Sequence, residues 1–417
     1  LVEQLNQASD VYYNGKGELM TDYEWDAKFD QLKKLEEETG EVLPDSPTNK
    51  VSEDTIVGKK EEHEFAALSL AKTKLVSDLV KWAEDRPIWI SWKLDGLTLV
   101  VTYDNGKLSK IVTRGNGHIG TNITHLASAI SGIPKNIKEK GHLVIRGEAV
   151  ISYADFEQFI IESEGDYANP RNLASGSLSL KDAEEVKQRH IQWIPFTLVY
   201  TEQEINSWGE RMQMLQDLGF KPVERTRIEH PDEESIQAEI NRFTQKVTDK
   251  TNPYPVDGLV ICYDDTAYAA TGSVTGHHAT RAGYAFKWQD EHADTELDHI
   301  EWSCAANTIT PVAVFKPVEL EGTTVQRASL CNVSECERLG IGGKGSKLQV
   351  IKANKIIPKV INVTEPMGIF EIPTECPVCH AEATVKESES GTKTLHCSNP
   401  HCAAKQIKKF ARFVSKE

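Results

Sequence analysis

A single lysine interrupts the apolar segment Ile90-Ser91-Trp92-Lys93-Leu94-Asp95-Gly96-Leu97. The wider run from Pro87 to Thr102 is rich in Ile, Trp, Leu and Val, which predicts a buried strand, a short polar step and a second strand. An ammonium group in such apolar surroundings is costly unless it is paired or loses its proton. Since a neutral amine is a nucleophile, Lys93 is a candidate for covalent catalysis.

Two neighbours of Lys93 support this interpretation. The carboxylate of Asp95 would orient the amine or a metal ion, and Gly96 would let a ligand approach the backbone closely. The alternative is a lysine whose stem packs on apolar surface while its head reaches water beside a structural carboxylate. For an isolated Lys-x-Asp-Gly this alternative is the better interpretation, so the choice depends on the rest of the chain.

Five further motifs follow in order. They are Thr113-Arg114-Gly115-Asn116-Gly117, Ile145-Arg146-Gly147-Glu148, Ala168-Asn169-Pro170-Arg171-Asn172, Val256-Asp257-Gly258-Leu259-Val260 and Ala285-Phe286-Lys287-Trp288. With the Lys93 segment, this series resembles the motifs of lysine-adenylating nucleotidyltransferases, and in detail those of the bacterial NAD+-dependent DNA ligase family. The similarity runs from about Leu5 to Val414 and implies a multidomain α+β protein. Between the first motifs, Asp104-Asn105-Gly106-Lys107 predicts a β-hairpin.

The resemblance implies four domains. These are a helical module for the nicotinamide mononucleotide (NMN) half of NAD+ at 1–64, a nucleotidyltransferase (adenylation) domain at 65–299, an OB-fold at 300–367 and a small zinc finger at 368–417. Helical apolar spacing in the first range and short β-rich runs with glycine turns in the third agree with this division. The family continues into helix-hairpin-helix and BRCT modules that this sequence does not include, so we expect either a truncated form or a naturally short, divergent member.

Composition bounds the protein class. The chain has 417 residues, too many for one ordinary core, with 39% hydrophobic and 26% charged residues, as in globular proteins. No run approaches the roughly 18 to 20 apolar residues of a membrane span, so we expect a cytoplasmic protein with no membrane partner.

The net charge of −16 is unevenly distributed. Residues 1–64 carry 17 acidic and 7 basic side chains, whereas residues 300–417 carry 12 acidic and 15 basic ones. Nucleic-acid affinity depends on local basic surface rather than on the total, so the acidic balance does not exclude a DNA partner.

Four of the eight cysteines have the spacing of a metal site. Cys376 and Cys379 are separated by two residues, 17 residues follow, and Cys397 and Cys402 are separated by four. Two close pairs of thiolates are typical of a structural zinc site. The other four cysteines are scattered, which favours a reducing compartment.

The resemblance also implies individual roles. Lys93 would carry the adenylate, with Asp95 beside it; Asp257 would bind Mg2+ directly or through water, and Lys287 would neutralise the α-phosphate. The NMN half of NAD+ would contact Tyr12, Tyr13, Asp22, Trp25 and Asp26. The adenylate half would contact Ser69, Leu70, Ser91, Arg114, Glu148, Arg171, Phe196 and Lys287.

Several positions depart from the family pattern, and three of them bear most on activity. Ser91 stands where a glutamate reads the adenine amine, Cys262 where a lysine follows the Asp-Gly strand, and Ser179 where an arginine is usual. If Cys262 faces the phosphates, the site lacks a cation, and Cys262→Lys would speed adenylation by roughly tenfold.

The expected function is NAD+-dependent sealing of nicked double-stranded DNA in replication and repair, by a monomer that uses NAD+, Mg2+ and Zn2+. Two alternatives remain open. The departures motivate a catalytically weakened paralogue that binds DNA ends as a structural module, and the same chemistry would also suit a nucleotidyltransferase acting on RNA.

Overall fold

The computed structural model describes residues 1–13, 19–20, 22–43, 46–48, 56, 58–67, 69–163, 167, 169–271, 281, 283–288, 291–305, 308–320, 322–353, 355–388 and 391–405. It divides into two compact units. The first comprises Leu1–Phe156 and Asn169–Trp288, and the second comprises Glu157–Ala168 and Gln289–Glu417.

The described helices are α1 (Val2–Tyr13), α2 (Asp22–Thr39), α3 (Val76–Ala83), α4 (Tyr153–Ser163), α5 (Pro170–Leu178), α6 (Ala183–Lys187), α7 (Trp208–Asp217), α8 (Glu233–Thr248), α9 (Thr266–Ala270) and α10 (Val333–Leu339), with a 3-10 helix at Thr124–Ala129. The described strands are β1 (Lys60–Glu62), β2 (Ala71–Thr73), β3 (Ile88–Leu94), β4 (Leu97–Asp104), β5 (Lys107–Thr113), β6 (Ile119–Thr121), β7 (Leu143–Val150), β8 (Gln192–Thr201), β9 (Arg225–Ile228), β10 (Val256–Tyr263), β11 (Tyr284–Phe286), β12 (His292–Ala305), β13 (Thr308–Leu320), β14 (Thr323–Ser329), β15 (Lys347–Ala353), β16 (Ile357–Glu365), β17 (Ala383–Glu387) and β18 (Lys393–Cys397).

Two larger sheets organise the first unit. One has the order β5-β4-β7-β8 and the other the order β2-β11-β10-β3-β9. The predicted hairpin is confirmed, because β4 ends at Asp104 and β5 begins at Lys107. Asn105 and Gly106 between them have φ angles of 49° and 72°, the positive values that a tight hairpin turn requires.

Strand β3 is held on both sides and on one face. It pairs antiparallel with β10 and with β9. Its residues Ile88, Ile90 and Trp92 are buried, and the Trp92 ring meets Phe243 of α8 edge-on at 4.6 Å. Such packing stabilises the strand by burying large apolar surface, and it fixes the backbone from which Lys93 projects.

The N-terminal helices α1 and α2 pack through Val2, Leu5 and Leu32, so the helical prediction for this region is confirmed over their lengths. It is wrong for residues 60–62, which form β1 and pair antiparallel with β6. This pairing joins segments about 60 residues apart, and a local apolar pattern does not show it.

In the second unit, five strands close into a barrel. Their order is β12-β15-β16-β14-β13, and a further pairing of β12 with β13 completes the ring. A five-stranded closed barrel with α10 between its third and fourth strands is an OB-fold, so this prediction is confirmed. The expected boundary at 299/300 falls inside β12, which is a continuous strand from His292 to Ala305.

Within the described part of the chain, none of the helices is both long enough and apolar enough to cross a membrane.

Candidate active site and metal centre

Lys93 and Asp257 form the centre of the site in the first unit. The Lys93 amine donates to both carboxylate oxygens of Asp257, at 2.7 Å each. Asp257 lies on β10, beside Gly258, whose φ is +146° and where a Cβ would meet the Phe286 carbonyl oxygen at 2.2 Å. Gly258 is therefore required for β10 to approach β11, and this contact positions Asp257.

Lys287 extends the charged group. It follows β11, and its amine lies 4.0 Å from Asp257 Oδ2 and 3.0 Å from Asp26 Oδ2. Burial pushes the pKa of Asp257 upward, but Lys93, Lys287 and Arg171 outweigh it, so the pKa is lowered overall. Asp257 therefore remains a carboxylate at neutral pH.

Asp95 is placed differently from the expectation. It follows β3 rather than continuing it, and its Oδ1 accepts a hydrogen bond from Arg171 Nη1 at 2.7 Å. Gly96 is needed for chain packing, because a Cβ there would meet the Ala149 carbonyl oxygen at 2.1 Å. The close approach predicted at Gly96 is thus made by β7 itself.

Glu148 is a buried carboxyl group next to this turn. Its two oxygens accept hydrogen bonds from the Gly96 amide at 3.1 Å and from the Thr98 hydroxyl at 2.8 Å. Burial raises the pKa of Glu148 to about 7, against the opposing effects of Arg171, Thr98 and Lys93. Sequence reasoning found Glu148 but missed Thr98, which a strand pattern does not distinguish.

Arg114 and Ser69, both expected at the adenylate half of NAD+, contact each other. The Arg114 guanidinium donates to Ser69 Oγ at 3.0 Å and to the Ala67 carbonyl oxygen at 3.2 Å. Arg146, which was not predicted as a site residue, donates to the Phe65 and Ala66 carbonyls at 3.2 and 2.8 Å. Two arginines therefore hold the segment that leads to Ser69 and the half-buried Leu70.

Ser91 and Cys262, two of the departures from the family pattern, lie on the paired strands β3 and β10. Ser91, 4% exposed, pairs with Val260, and Cys262 pairs with Trp89. Cys262 therefore lies opposite a residue four positions before Lys93, about 13 Å along the strand at 3.3 Å per residue. Trp89, Ser91 and Lys93 alternate onto one face of β3, so Cys262 shares that face with Lys93, and its orientation toward the phosphates stays a prediction. Ser91 and Cys262 are diagonal neighbours on this face of the sheet.

Two other positions expected from the sequence, Phe196 and Ser179, lie on β8 and at the end of α5. Phe196 is half-buried on β8 at an irregularity in the β7–β8 pairing, two residues after Ile194, the partner of Glu148. Ser179 caps the C-terminal end of α5 and donates its hydroxyl to the Ser175 carbonyl oxygen at 3.1 Å.

Of the positions expected to contact NMN, the structure describes the side chains of Trp25 and Asp26. The Trp25 ring stacks on Phe29 at 4.8 Å, and its Nε1 donates to the Leu5 carbonyl oxygen. The side chains of Tyr12, Tyr13 and Asp22 lie outside the described residues.

The four predicted cysteines of the second unit converge. The sulfur atoms of Cys376, Cys379, Cys397 and Cys402 all lie within 4.8 Å of one another. The Cys376–Cys402 separation is 3.9 Å and the Cys379–Cys397 separation is 3.5 Å. Four thiolates about 2.3 Å from one tetrahedral ion would be about 3.8 Å apart, so the group fits zinc.

A fifth cysteine, missed by sequence reasoning, lies against this group. Cys304 on β12 packs on the cluster formed by Cys376, Cys397 and Cys402. Burial and the contact with Cys376 raise the pKa of the Cys304 thiol. The register explains its position, because Cys304 pairs with Ile309, and Ile309 pairs with Leu395 next to the quartet.

Comparisons with known families agree with the order of these parts. Residues 1–52 match the DNA ligase-like N-terminal NAD+-binding domain, residues 59–291 match the NAD-dependent DNA ligase adenylation domain, and residues 294–367 match the NAD-dependent DNA ligase OB-fold domain. A cofactor-binding module, an adenylation domain and an OB-fold in this order define a multidomain nucleotidyltransferase class. The adenylation match alone covers more than half of the sequence. The chain belongs to the NAD-dependent DNA ligase family.

Two relatives illustrate the similarity. A DNA ligase of Lachnoclostridium phytofermentans is 43% identical over 424 residues, covering 100% of this chain and 64% of the relative. A DNA ligase of Ruminiclostridium cellulolyticum is 41% identical over 423 residues, covering 100% of this chain and 63% of the relative. The chain spans slightly less than two thirds of the length of these relatives.

Proposed function

We propose that the chain is an NAD+-dependent DNA ligase in which Lys93 carries the adenylate. The observation that carries this proposal is the bidentate contact of Lys93 with Asp257, with Lys287 4.0 Å from the same carboxylate. This arrangement orients one amine and places a second cation beside it. Orientation and fixed positive charge are the main protein contributions to phosphoryl transfer.

The reaction would proceed in three displacements. The Lys93 nitrogen attacks the α-phosphorus of NAD+, the P–O bond to NMN breaks, and NMN leaves. The 5′-phosphate at a nick then displaces the lysine nitrogen from the adenylate, giving an activated 5′-end. Attack by the 3′-hydroxyl forms the phosphodiester and releases AMP. Lys287 stabilises negative charge that builds on the α-phosphate during the first two displacements.

The residues present fit a Mg2+ ion held largely by substrate. Among the described residues, the only group of three or more potential metal ligands is the cysteine quartet, so the site offers Asp257 rather than a carboxylate cluster. Mg2+ commonly binds through one or two carboxylates together with phosphate oxygens and water. Held by Asp257 in this way, it would supply charge neutralisation.

Nicked double-stranded DNA is the proposed substrate, with the OB barrel of the second unit contributing to its binding. OB-folds bind nucleic-acid backbones through basic side chains on their strands. The basic side chains Lys316, Arg327, Lys347 and Lys352 lie on strands of this barrel. We also propose the four-domain division 1–64, 65–299, 300–367 and 368–417, with its first and second boundaries moved toward the N-terminus by β1 and β12.

The cysteine quartet is proposed to hold one structural zinc ion. The backbone amide of Ala381 lowers the pKa of Cys379 to about 6, which favours the thiolate that zinc requires. Elemental analysis of protein purified without chelator should give one zinc per chain, and Cys397→Ser should lose it. Cys331→Ser, at an exposed cysteine outside the quartet, is the matched control. Zinc-free wild-type protein would contradict the assignment.

Intact mass after incubation with NAD+ and Mg2+ tests the function. The proposal expects one added AMP with NAD+ and none with ATP. Absence of the adduct in a protein that still binds DNA ends would support the structural-module alternative. An adduct together with joining of nicked RNA but not nicked DNA would support the RNA alternative.

A further inference from the structure

Lys72 is a cation at the site that no motif identified. It lies on β2, which pairs in parallel with β11, and its partner in the register is Ala285, two residues before Lys287. The Lys72 amine donates to Asp26 Oδ1 at 3.3 Å, while the Lys287 amine donates to Asp26 Oδ2 at 3.0 Å. One carboxylate from α2 therefore bridges two ammonium groups from adjacent strands.

These contacts continue a series of alternating charges that begins at the nucleophile. Lys93 contacts Asp257, Asp257 lies 4.0 Å from Lys287, and Asp26 links Lys287 to Lys72. Lys93 and Lys72 are the two ends of this series. The Lys72 side chain is the most exposed of the three lysines, at 40%. An anion can reach this lysine without disturbing the contact between Lys93 and Asp257.

Resting on the proposed function, we propose that Lys72 and Lys287 together bind the phosphate of the NMN leaving group. In an in-line displacement the leaving oxygen departs on the side away from the nucleophile, so cations beyond the reacting phosphate receive the developing charge. Lys72 satisfies this requirement because it is separated from Lys93 by Lys287. Its ammonium has three donors, so it can retain the contact with Asp26 while donating to a phosphate oxygen.

Two observations support the placement. Burial raises the pKa of Asp26, but Lys72 and Lys287 outweigh it and lower the pKa to about 2, so Asp26 remains charged and holds both lysines at neutral pH. The Lys72 amine also lies 4.8 Å from the centre of the Trp25 ring. This cation–π contact restricts the lysine further, and a restricted lysine loses less entropy when it binds an anion.

Binding of NMN compared with nicotinamide riboside, which lacks the phosphate, tests the inference directly. Isothermal titration would be performed on wild type, Lys72→Ala, Lys72→Arg and the control Lys81→Ala, an exposed lysine on α3. Wild type should prefer NMN, and Lys72→Ala should reduce that preference by about tenfold or more, the value of one charge-assisted hydrogen bond. Lys72→Arg should keep most of the preference, and Lys81→Ala all of it.

A purely structural role for Lys72 predicts a different result. If Lys72 only anchors α2 through Asp26, Lys72→Ala would weaken both ligands equally and leave their ratio unchanged. That result, or an unchanged affinity for both, would overturn the inference. Equal thermal unfolding temperatures for Lys72→Ala and Lys72→Arg would show that the alanine variant is folded.

Kinetics separate this inference from the proposed function. Lys72→Ala should raise KM for NAD+ by about tenfold and leave the sealing of a pre-adenylated nick unchanged, because that step has no NMN. Equal loss of both activities would overturn the role of Lys72. A wild-type protein that prefers NMN but gains no AMP from NAD+ would instead contradict the proposed function and leave the phosphate site supported.

Discussion

The two ends of strand β3 differ in the charge that the strand itself contributes. At one end Lys93 meets Asp257, with Lys287 and Asp26 beyond it. Toward the other end the strand's own residues Ser91 and Trp89 are uncharged, although they pair with Arg225 and Arg227 of β9, and Cys262 is diagonal to Ser91 across the pairing with β10. The two departures from the family pattern on these strands are therefore neighbours, and in both an uncharged side chain stands where the family has a charged one. Because Lys93, Asp257 and Lys287 keep their contacts, we expect a changed base-binding region rather than a general loss of phosphoryl-transfer chemistry.

The largest effect is expected at Lys93, at the charged end of β3. Lys93→Ala should abolish the AMP adduct from NAD+, because no other amine has its bidentate contact with Asp257 among the described residues. Intact mass measures the adduct, and Lys81→Ala serves as the matched lysine control. An AMP adduct in folded Lys93→Ala would show that the charged end of β3 does not supply the adenylated residue.

Asp257→Asn should lower the rate of adenylation by roughly 100-fold, the cost of misplacing a reacting group by about 1 Å. The amide has one acceptor atom and cannot accept the amine through both of its terminal atoms, so Lys93 loses its fixed direction. Rapid-quench measurement of adduct formation would report the rate. Asp249→Asn, at the exposed end of α8, is the control. A decrease of less than about threefold would show that Asp257 does not orient Lys93.

The pH dependence of stability at Glu148 tests how far water is excluded from the charged end of β3. Its pKa is raised from 4.5 to about 7, so the folded state binds more protons than the unfolded state above pH 4.5, and stability falls as the pH rises through this range. Between pH 5 and pH 8 the free energy of unfolding should drop by about 2 kcal/mol more in wild type than in Glu148→Gln. Urea titrations at each pH measure this. Parallel curves for the two proteins would mean that Glu148 is solvated.

The smallest effect is expected at Cys262. Because Cys262 lies opposite Trp89 and not beside Lys93, Cys262→Lys should change the adenylation rate by less than about threefold. A tenfold increase in a folded variant would support the expectation that this position faces the phosphates. Thermal unfolding checks the fold, because burying a lysine in place of a cysteine is costly.

Local patterns predicted those parts of the protein that depend on neighbouring residues. The turn at Asn105-Gly106, the step between β3 and β4 and the cysteine quartet are all encoded within short stretches. The identities of Lys93, Asp257 and Lys287 came from motifs, and the structure brings the three together.

What the sequence did not predict depends on register and on non-local pairing. The placement of Cys262 requires the irregularity between Val256 and Leu259, which shifts β10 against β3. Lys72 belongs to a three-residue strand whose partner lies more than 200 residues later. Cys304 reaches the quartet only through two successive strand pairings. No composition or spacing signal marks such positions.

Peptide mapping of the adenylated protein tests the central claim most directly. After incubation with NAD+ and Mg2+, tryptic digestion and fragmentation should place AMP on Lys93, in a peptide that ends at Lys107 because trypsin does not cleave at a modified lysine. AMP on Lys72, Lys287 or any other residue, or no modified peptide at all, would contradict the assignment of the charged end of β3 as the site of adenylate transfer.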